Sequence, residues 1–316
     1  MTPSPESPLV SIAIVSFNSR THLERCLRSI EATVAPPREV LVVDNASTDG
    51  TVEALAPDWP GVRWIANRRN VGFARASNQA LAQAGAPFWL MLNPDAELEP
   101  GAVESLLRYL EDHPEAAVAG PVVKRPDGRL EPSAGWVPTP GRELVETLLL
   151  FRLGLRGRLL RGEPPGPVAV DWVSGCAMLV RADAAREVGL FDERYFLYVE
   201  DLDWCWRFRR AGWEVVLVPG PRVLHHRGAS VLGSPDTLVN GERNLEYFVR
   251  KHGLRFPIPL LRGLELANLA TRAPWLAWRG ARGDRRARDE ARLFARSAWR
   301  ALATLAAPPP PVDTGR

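Results

Sequence analysis

Acidic residues stand beside apolar runs at three places in this sequence, and their types could carry metal or proton chemistry. Asp44 ends EVLVVD, Asp95 follows FWLML, and YVEDLDWCWR places Glu200, Asp201 and Asp203 within four residues. Hard divalent cations prefer oxygen ligands, and Mg²⁺ commonly takes one or two carboxylates together with substrate phosphates. A carboxylate at a helix start is favoured in its ionised form and can act as a general base toward a hydroxyl. Each segment alone is also compatible with turn and helix-cap chemistry.

Two further residue types add to this chemistry. VLHHRGAS places His225 and His226 directly after an apolar run. A neutral imidazole can bind a metal, although a buried histidine is often only structural. Tyr198 and Trp204 flank the acids at 200–203, where aromatic rings could form a platform for a saccharide, while some of the aromatic residues there must belong to the core.

The apolar runs and periodic segments predict which elements position these residues. Strands are predicted at 10–17, 39–44, 62–66, 88–92, 116–123, 172–181, 214–219 and 222–226, and helices at 21–33, 73–84, 100–112, 142–153, 182–189 and 200–212. This alternation predicts an α/β fold with a mostly parallel sheet flanked by helices. Ligands bind such sheets at the carboxyl ends of the strands. Polar residues follow the first four strands at that edge: Asn18, Asp44, Asn45, 67–70, Asn93 and Asp95.

The composition is that of an ordinary globular protein, with 46% hydrophobic and 24% charged residues among 316. The three cysteines match no metal-binding spacing and are predicted to be buried thiols in a reducing compartment. No signal peptide is visible, so a cytoplasmic location is expected. We expect one domain over residues 1–235 and a helical, basic region over 236–316 with a disordered tail.

Residues 258–280 combine leucines and tryptophans with charged interruptions, which exclude a membrane span. Such a helix could lie on an anionic membrane surface. It could equally pack on the catalytic domain or on another subunit. The sequence leaves both alternatives open, and the membrane alternative places a peripheral contact at residues 258–300.

Several segments, in this order, resemble family 2 glycosyltransferases, in particular bacterial rhamnosyltransferase-like members. The matching stretches are VSFN (15–18), VVDNASTDG (42–50), NVGFARASN (70–78), LNPDAEL (92–98), SGCAMLVR (174–181), the run from 188 to 213 and HHRGAS (225–230). The resemblance implies the GT-A fold, with a helical C-terminal extension here. It also implies an inverting, metal-dependent glycosyltransferase of cell-wall or other polysaccharide biosynthesis.

The resemblance also implies roles for individual residues. The nucleotide-sugar would contact Phe17, Asn18, Asp44, Asn45, Asn70, Gly72 and Asn93. Asp95 and His225 would hold Mg²⁺ or Mn²⁺, although Asn93 replaces the first acid of the family's Asp-x-Asp pattern. Asp201 would be the catalytic base, with Glu200 as the second candidate, and Trp204 and Tyr198 would contact the acceptor.

The implied reaction moves a sugar, rhamnose or another hexose, from a dTDP- or UDP-sugar to a hydroxyl of a glycan or lipid-linked glycan. One alternative is a catalytically inactive glycan- or nucleotide-binding relative. Another is a basic nucleic-acid binder, which the absence of a recognised motif disfavours. A nucleotidyltransferase or a Rossmann dehydrogenase would need a glycine-rich phosphate loop after the first strand, and VSFNSRTHLE has none.

Overall fold

The computed structural model describes residues 8–35, 38–226 and 236–283. The strands are β1 (Val10–Ser16), β2 (Arg38–Asp44), β3 (Val62–Ala66), β4 (Phe88–Leu92), β5 (Ala96–Leu98), β6 (Ala116–Lys124), β7 (Leu130–Glu131), β8 (Ala134–Gly135), β9 (Val168–Ala169), β10 (Trp172–Val173), β11 (Ala177–Arg181) and β12 (Glu214–His225). The helices are α1 (Arg20–Thr33), α2 (Thr51–Leu55), α3 (Phe73–Leu81), α4 (Ala102–Asp112), α5 (Pro140–Thr147), α6 (Ala182–Val188), α7 (Glu200–Arg210), α8 (Asp236–Lys251) and α9 (Ile258–Ala281), with a 3₁₀ turn at Leu150–Leu153.

The main sheet is mixed. Four neighbouring strands at one side are parallel, and one further pair of strands is parallel. Its strand order is β3-β2-β1-β4-β11-β6-β12-β5. Strands β3, β2, β1 and β4 run parallel to one another, and β12 runs parallel to β6. Strand β11 is antiparallel to both of its neighbours, and β5 is antiparallel to β12. The predicted mostly parallel sheet with flanking helices is confirmed.

The central strands are buried on both faces, which explains their unbroken apolar sequences. Every residue of β1 and of β4 is buried. Helix α1 covers one face with the predicted apolar stripe of Leu23, Cys26, Leu27 and Ile30. The three cysteines are buried free thiols, as predicted.

Two strand predictions were wrong in ways that matter for the site. The run predicted as one strand at 172–181 is β10 and β11, separated by a turn in which the Ala177 N–H donates to Ser174 O (3.3 Å). The two strands predicted at 214–219 and 222–226 are the single strand β12, whose pairing with β6 is irregular between Leu217 and Arg222. Prolines and a glycine lie at that irregularity, and a bulge accommodates them within a continuous strand.

The chain forms two compact units. Among the described residues, the first contains 8–35, 38–136, 160–196 and 200–226, and the second contains 137–159, 197–199 and 236–283. The second unit thus includes the segment 137–159 between β8 and β9, in which α5 packs against α9. The expected division at residue 235 stays a prediction. No helix in the described part of the chain is both long and apolar enough to cross a bilayer.

Candidate active site

The carboxyl ends of the parallel strands bring the predicted polar residues to one edge of the first unit. In the sheet register Ser16 pairs with Asp44, and Ile14 pairs with Leu92. The segments after β1, β2 and β4 therefore leave the sheet side by side, and neighbouring strands are about 4.8 Å apart. On the far side of β4, Ala177 of β11 pairs with Leu92, so the 174–176 turn reaches the same edge.

Asp44 is the buried carboxylate at the end of β2. Its Oδ2 accepts a hydrogen bond from the Ser47 N–H (3.0 Å). Its Oδ1 is also buried but has no hydrogen-bond partner in the described part of the chain. A buried acceptor without a partner carries a free-energy cost, which a ligand N–H or O–H would remove. Asp44 can therefore receive a ribose hydroxyl or a base N–H.

Asn18 connects the end of β1 to the loop after β2. Its backbone has a positive φ of 50°, its N–H donates to Ser47 Oγ (2.8 Å), and its Oδ1 accepts from the Thr48 N–H (2.7 Å). Phe17 precedes it and is half-buried at the same edge. The structure thus places both predicted residues beside the Asp44 loop, with part of the Asn18 amide used to hold that loop.

The hydrogen bonds of the Asn45 side chain correct the prediction that this residue contacts the nucleotide-sugar. Its Nδ2 donates to Asn70 Oδ1 (2.8 Å) and Gly72 O (3.3 Å). Its Oδ1 accepts from Asn67 Nδ2 (3.2 Å) and the Val71 N–H (3.0 Å). Both donors and both acceptor sites of the amide are satisfied within the protein. Asn45 therefore positions the 67–72 loop and has no free group for a nucleotide.

The turn at Asn70 and Gly72 is fixed from two sides. Asn70 Oδ1 accepts from the Gly72 N–H (2.9 Å) as well as from Asn45. Gly72 has φ +87°, and a Cβ added there would lie 2.7 Å from Phe196 O. The next residue, Phe73, donates its N–H to the same Phe196 carbonyl (2.7 Å). Only glycine fits this close approach, which joins the loop after β3 to the segment before α7.

Asp95 and His225 come together, as the resemblance implied. Asp95 lies in the turn between β4 and β5, and its Oδ1 is 3.3 Å from His225 Nε2. His225 Nδ1 is 3.4 Å from Glu131 Oε2. The His226 N–H donates to Asp95 O (2.9 Å), which ties the end of β12 to this turn. A carboxylate on the second ring nitrogen is the usual way in which a metal-binding histidine is oriented.

The charge state of His225 depends on these neighbours. Burial by itself lowers the pKa of His225, but its neighbours Cys176, Asp95 and Glu131 outweigh burial and raise the pKa. Burial raises the pKa of Cys176, so its thiol stays neutral. We therefore attribute the raised pKa of His225 to the two carboxylates. A cation bound at Asp95 would have to displace that imidazole proton.

A second histidine pair beside Asp95 was missed by sequence reasoning. His226 Nε2 contacts Glu97 Oε1 (2.6 Å), and its ring centroid is 5.6 Å from that of His22. His22 Nδ1 is buried without a hydrogen-bond partner among the described residues. Burial lowers the pKa of His22, and the charge of Asp95 only partly opposes this. His22 precedes the apolar stripe of α1, so nothing in the local sequence indicates that it faces the site.

Asp201 and Glu200 begin α7 but have different surroundings. Asp201 Oδ2 accepts from the Gly175 N–H (3.0 Å), and Oδ1 accepts from the Leu202 N–H (2.8 Å). Asp201 is half-buried, whereas Glu200 is buried and its Oε2 has no hydrogen-bond partner among the described residues. Burial and then the charge of Asp201 raise the pKa of Glu200 well above its usual range. The turn at Gly175 thus links Asp201 to the edge occupied by Asn93, whose N–H donates to Cys176 O (2.9 Å).

Trp204, which was predicted to contact the acceptor, lies in the core of the first unit. Trp204 is fully buried against Phe191 and Phe208, and its Nε1–H donates to Gly189 O (2.9 Å). The prediction that Trp204 contacts the acceptor is wrong, since it has no exposed surface. Phe196, beside Gly72, is 46% exposed and offers an aromatic face instead.

Tyr198 belongs to the second unit, where its carbonyl accepts from Asn244 Nδ2 (2.9 Å). It has a positive φ of 71°, as does the next residue, Val199 (72°). For a β-branched residue this is a costly backbone conformation. The acceptor role of Tyr198 stays a prediction.

The donor atoms at this edge fit a cation that is shared with substrate phosphates. Within residues 8–35, 38–226 and 236–283, no group of three or more His, Cys, Asp or Glu side chains is arranged to hold a metal alone. Asp95 and His225 offer one oxygen and one nitrogen. Asn93, two residues before Asp95, is half-buried, and within the described part of the chain only its backbone forms hydrogen bonds, which leaves the side-chain amide for a ligand. Mg²⁺ sites commonly combine one or two protein ligands with phosphate oxygens.

Comparison with known proteins identifies relatives of this chain. Residues 11–185 match the family model described as glycosyl transferase family 2. The chain is 36% identical over 245 residues to N-acetylglucosaminyl-diphospho-decaprenol L-rhamnosyltransferase of Mycobacterium tuberculosis, covering 72% of this chain and 79% of the relative.

Two solved structures show the same fold. One is the mannosyltransferase PcManGT from Pyrobaculum calidifontis in complex with GDP-Man and Mn²⁺, with TM-score 0.56, 17% identity and coverage of 94% and 87% of the two chains. The other is GalNAc-T7 with UDP, GalNAc and Mn²⁺, with TM-score 0.58, 16% identity and coverage of 78% and 48%. The predicted GT-A fold is confirmed.

Proposed function

The chain belongs to glycosyl transferase family 2, and on that premise we propose that it is an inverting transferase that moves a sugar from a nucleoside-diphosphate donor to a hydroxyl of a lipid-linked glycan. Glycosyl transfer itself follows from the family. Rhamnose is the favoured sugar, because the mycobacterial relative is an N-acetylglucosaminyl-diphospho-decaprenol L-rhamnosyltransferase. A dTDP- or UDP-linked donor is proposed with it.

The observation that carries this proposal is that three carboxylates belong to segments that leave the sheet at one edge. Asp44 ends β2, Asp95 follows β4, and Asp201 is bonded to the turn that precedes β11. We place the nucleoside at Asp44, whose Oδ1 has no hydrogen-bond partner among the described residues. We place the diphosphate at the contact between Asp95 and His225. Asp201 is then the carboxylate left for the reacting hydroxyl.

Asp201 suits the role of general base better than Glu200. Two backbone N–H groups hold its oxygens in place, and its side chain is half-buried. Glu200 is buried with a raised pKa, so it is held in its neutral form. A general base must accept a proton from the substrate, and a buried carboxyl whose pKa is raised is less suited to that role than a half-buried one.

In the proposed reaction Asp201 accepts the proton of the acceptor hydroxyl while that oxygen attacks the anomeric carbon. A new carbon–oxygen bond forms on one face of the sugar, and the bond to the diphosphate breaks on the opposite face. The anomeric configuration is therefore inverted in one displacement. The nucleoside diphosphate leaves with the electron pair of the broken bond.

A divalent cation would be held by Asp95 and His225. When bound, Mg²⁺ or Mn²⁺ supplies positive charge that stabilises the leaving diphosphate. Glu131 keeps the His225 ring in place through Nδ1. Metal dependence is a proposal, supported by the pairing of an oxygen and a nitrogen donor at this edge.

The proposed location is the cytoplasmic side of a membrane, in peripheral contact. A lipid-linked acceptor would explain such a contact. The predicted contact through residues 258–300 stays a prediction, and its part from 284 to 300 lies outside the described residues.

A panel of nucleotide sugars tests the proposal. We expect dTDP- or UDP-sugars, but not GDP-sugars, to raise the thermal unfolding temperature in the presence of Mn²⁺. Chelation with EDTA should reduce the effect, and Asp44→Asn should weaken it because the amide presents a donor where an acceptor is needed. If no nucleotide sugar stabilises the protein or is hydrolysed by it, the inactive-relative alternative replaces the proposal.

A further inference from the structure

Helix α5 in the second unit buries its acidic residues and exposes its leucines, which is the reverse of an ordinary surface helix. Its buried residues are Glu143, Glu146 and Thr147. Leu144 is 43% exposed, and Leu148, one turn later on the same face, is 51% exposed. A surface helix normally buries its leucines and exposes its acids. Burial of acidic groups costs free energy unless they are compensated, so this orientation needs a specific cause.

The buried acids of α5 are bound by the segment that returns from the following turn. Glu143 Oε1 forms an ion pair with Arg158 Nε (3.0 Å). Glu146 Oε1 accepts from the Leu159 N–H (3.1 Å). A Cβ at Gly157 would collide with Glu146 Oε1, so a side chain there would displace the Glu146 carboxylate. These contacts use the acids of α5 to fix residues 157–159, and they leave the leucine face outward.

The turn held between these contacts is apolar and basic. Leu153 is 78% exposed and Leu155 is 51% exposed, and Arg152 and Arg156 are exposed beside them. From residue 147 to 159 the sequence contains three arginines and no acid. Arg158 is turned inward to Glu143, so the charge presented outward is positive only.

We propose that this leucine–arginine surface docks on a bilayer containing anionic lipids. Its members are Leu144, Leu148, Arg152, Leu153, Leu155 and Arg156. Leucines enter the boundary between headgroups and acyl chains, while neighbouring arginines reach the phosphates. An anionic bilayer complements this surface, because it presents phosphates directly above an apolar layer over a wide area. This goes beyond the proposed transfer reaction, because it assigns a membrane contact outside the predicted 258–300 region.

Vesicle flotation of the full-length chain tests the proposal without any sugar substrate. We expect the wild-type chain to float with phosphatidylcholine vesicles containing about 30% phosphatidylglycerol, and to bind pure phosphatidylcholine weakly. Leu153→Ser/Leu155→Ser should lower the apparent affinity about tenfold or more. Arg152→Gln/Arg156→Gln should lower binding to anionic vesicles about tenfold and remove most of its salt sensitivity.

The matched control is Arg108→Gln/Arg129→Gln, which removes the same charge from exposed positions in the first unit. It should bind as the wild-type chain does. Thermal unfolding checks that every variant is folded, which is expected because the changed side chains are exposed. The proposal is overturned if the wild-type chain binds no vesicle, or if both loop variants bind as well as it does. It is also overturned if light scattering shows a lipid-free dimer that Leu153→Ser/Leu155→Ser abolishes, since a second copy would then occupy the surface.

Discussion

At the residue scale, Glu200 and Asp201 are adjacent in the sequence, yet their carboxyl groups lie in different surroundings. The side chain of Glu200 enters the core, where desolvation favours its neutral form. The side chain of Asp201 points to the Gly175 N–H and is half-buried. The difference arises from the start of α7, where adjacent side chains leave the helix in different directions.

Asp201→Asn tests the role of the base directly. The amide keeps the shape of the side chain but cannot accept the proton, so turnover should fall roughly 10²–10⁴-fold with the fold unchanged. Steady-state transfer kinetics measure the loss, and thermal unfolding measures the fold. Asp183→Asn is the matched control, because Asp183 is also an acid in the first turn of a helix and its side chain is 90% exposed. Turnover within a factor of a few of wild type in Asp201→Asn would exclude Asp201 as the base.

Glu200→Gln tests the neutral state of Glu200 through pH. Since its folded-state pKa is raised above the unfolded value, the native protein loses stability as pH rises from the unfolded pKa toward the folded one. Glutamine does not ionise, so the variant avoids that loss. The difference in Tm, variant minus wild type, should therefore increase from pH 4 to pH 8 by on the order of a few degrees. A difference that is independent of pH would show that Glu200 is not held neutral.

Single residues were predictable where their position on a strand decided the matter. Asp44, Asp95 and His225 lie at the ends of apolar runs. The parallel register of β1, β2 and β4 and the antiparallel pairing of β12 with β5 bring them to one edge. Trp204 was misjudged, because an aromatic ring beside acids can equally face the core. His22 was missed, because its neighbours at the site are distant in sequence and its own helix gives no signal.

At the element scale, the loops after β2 and β3 form one network that sequence patterns do not reveal. Four hydrogen bonds of the Asn45 amide join these loops. Helix and strand positions follow from periodicity, whereas which amide bonds which loop depends on the packed structure. The merging of the predicted strands at 214–219 and 222–226 into β12 has the same cause, because pairing with β6 continues across a proline-rich bulge.

Gly72→Ala tests the close approach between this network and Phe196. The added Cβ would lie 2.7 Å from Phe196 O and would impose φ +87° on alanine. We expect a loss of about 2 kcal/mol or more in the free energy of unfolding, together with weaker donor binding. Gly128→Ala is the control, because Gly128 has φ +79° but nothing within 4 Å of an added Cβ. Equal losses in urea denaturation would mean that backbone strain alone, and not the contact with Phe196, accounts for the effect.

At the scale of the whole molecule, the two compact units do not follow the order of the chain. Residues 137–159 group with the C-terminal helices, although more than 70 residues separate the two segments. A composition shift can mark a boundary near 235, but it cannot show that an internal excursion joins the later segment. Helix α5 buries acidic residues and exposes leucines, so its apolar residues do not indicate which face packs against the C-terminal helices.

The meeting of the three carboxylates is tested most directly by a crystal structure with UDP or dTDP and Mn²⁺. We expect the nucleoside within hydrogen-bond distance of Asp44 Oδ1 and an anomalous manganese peak at Asp95 and His225. The open side of the diphosphate should face Asp201. A nucleotide bound away from Asp44 and Asp95, or a site that leaves Asp201 on another face of the first unit, would contradict the proposed transferase site.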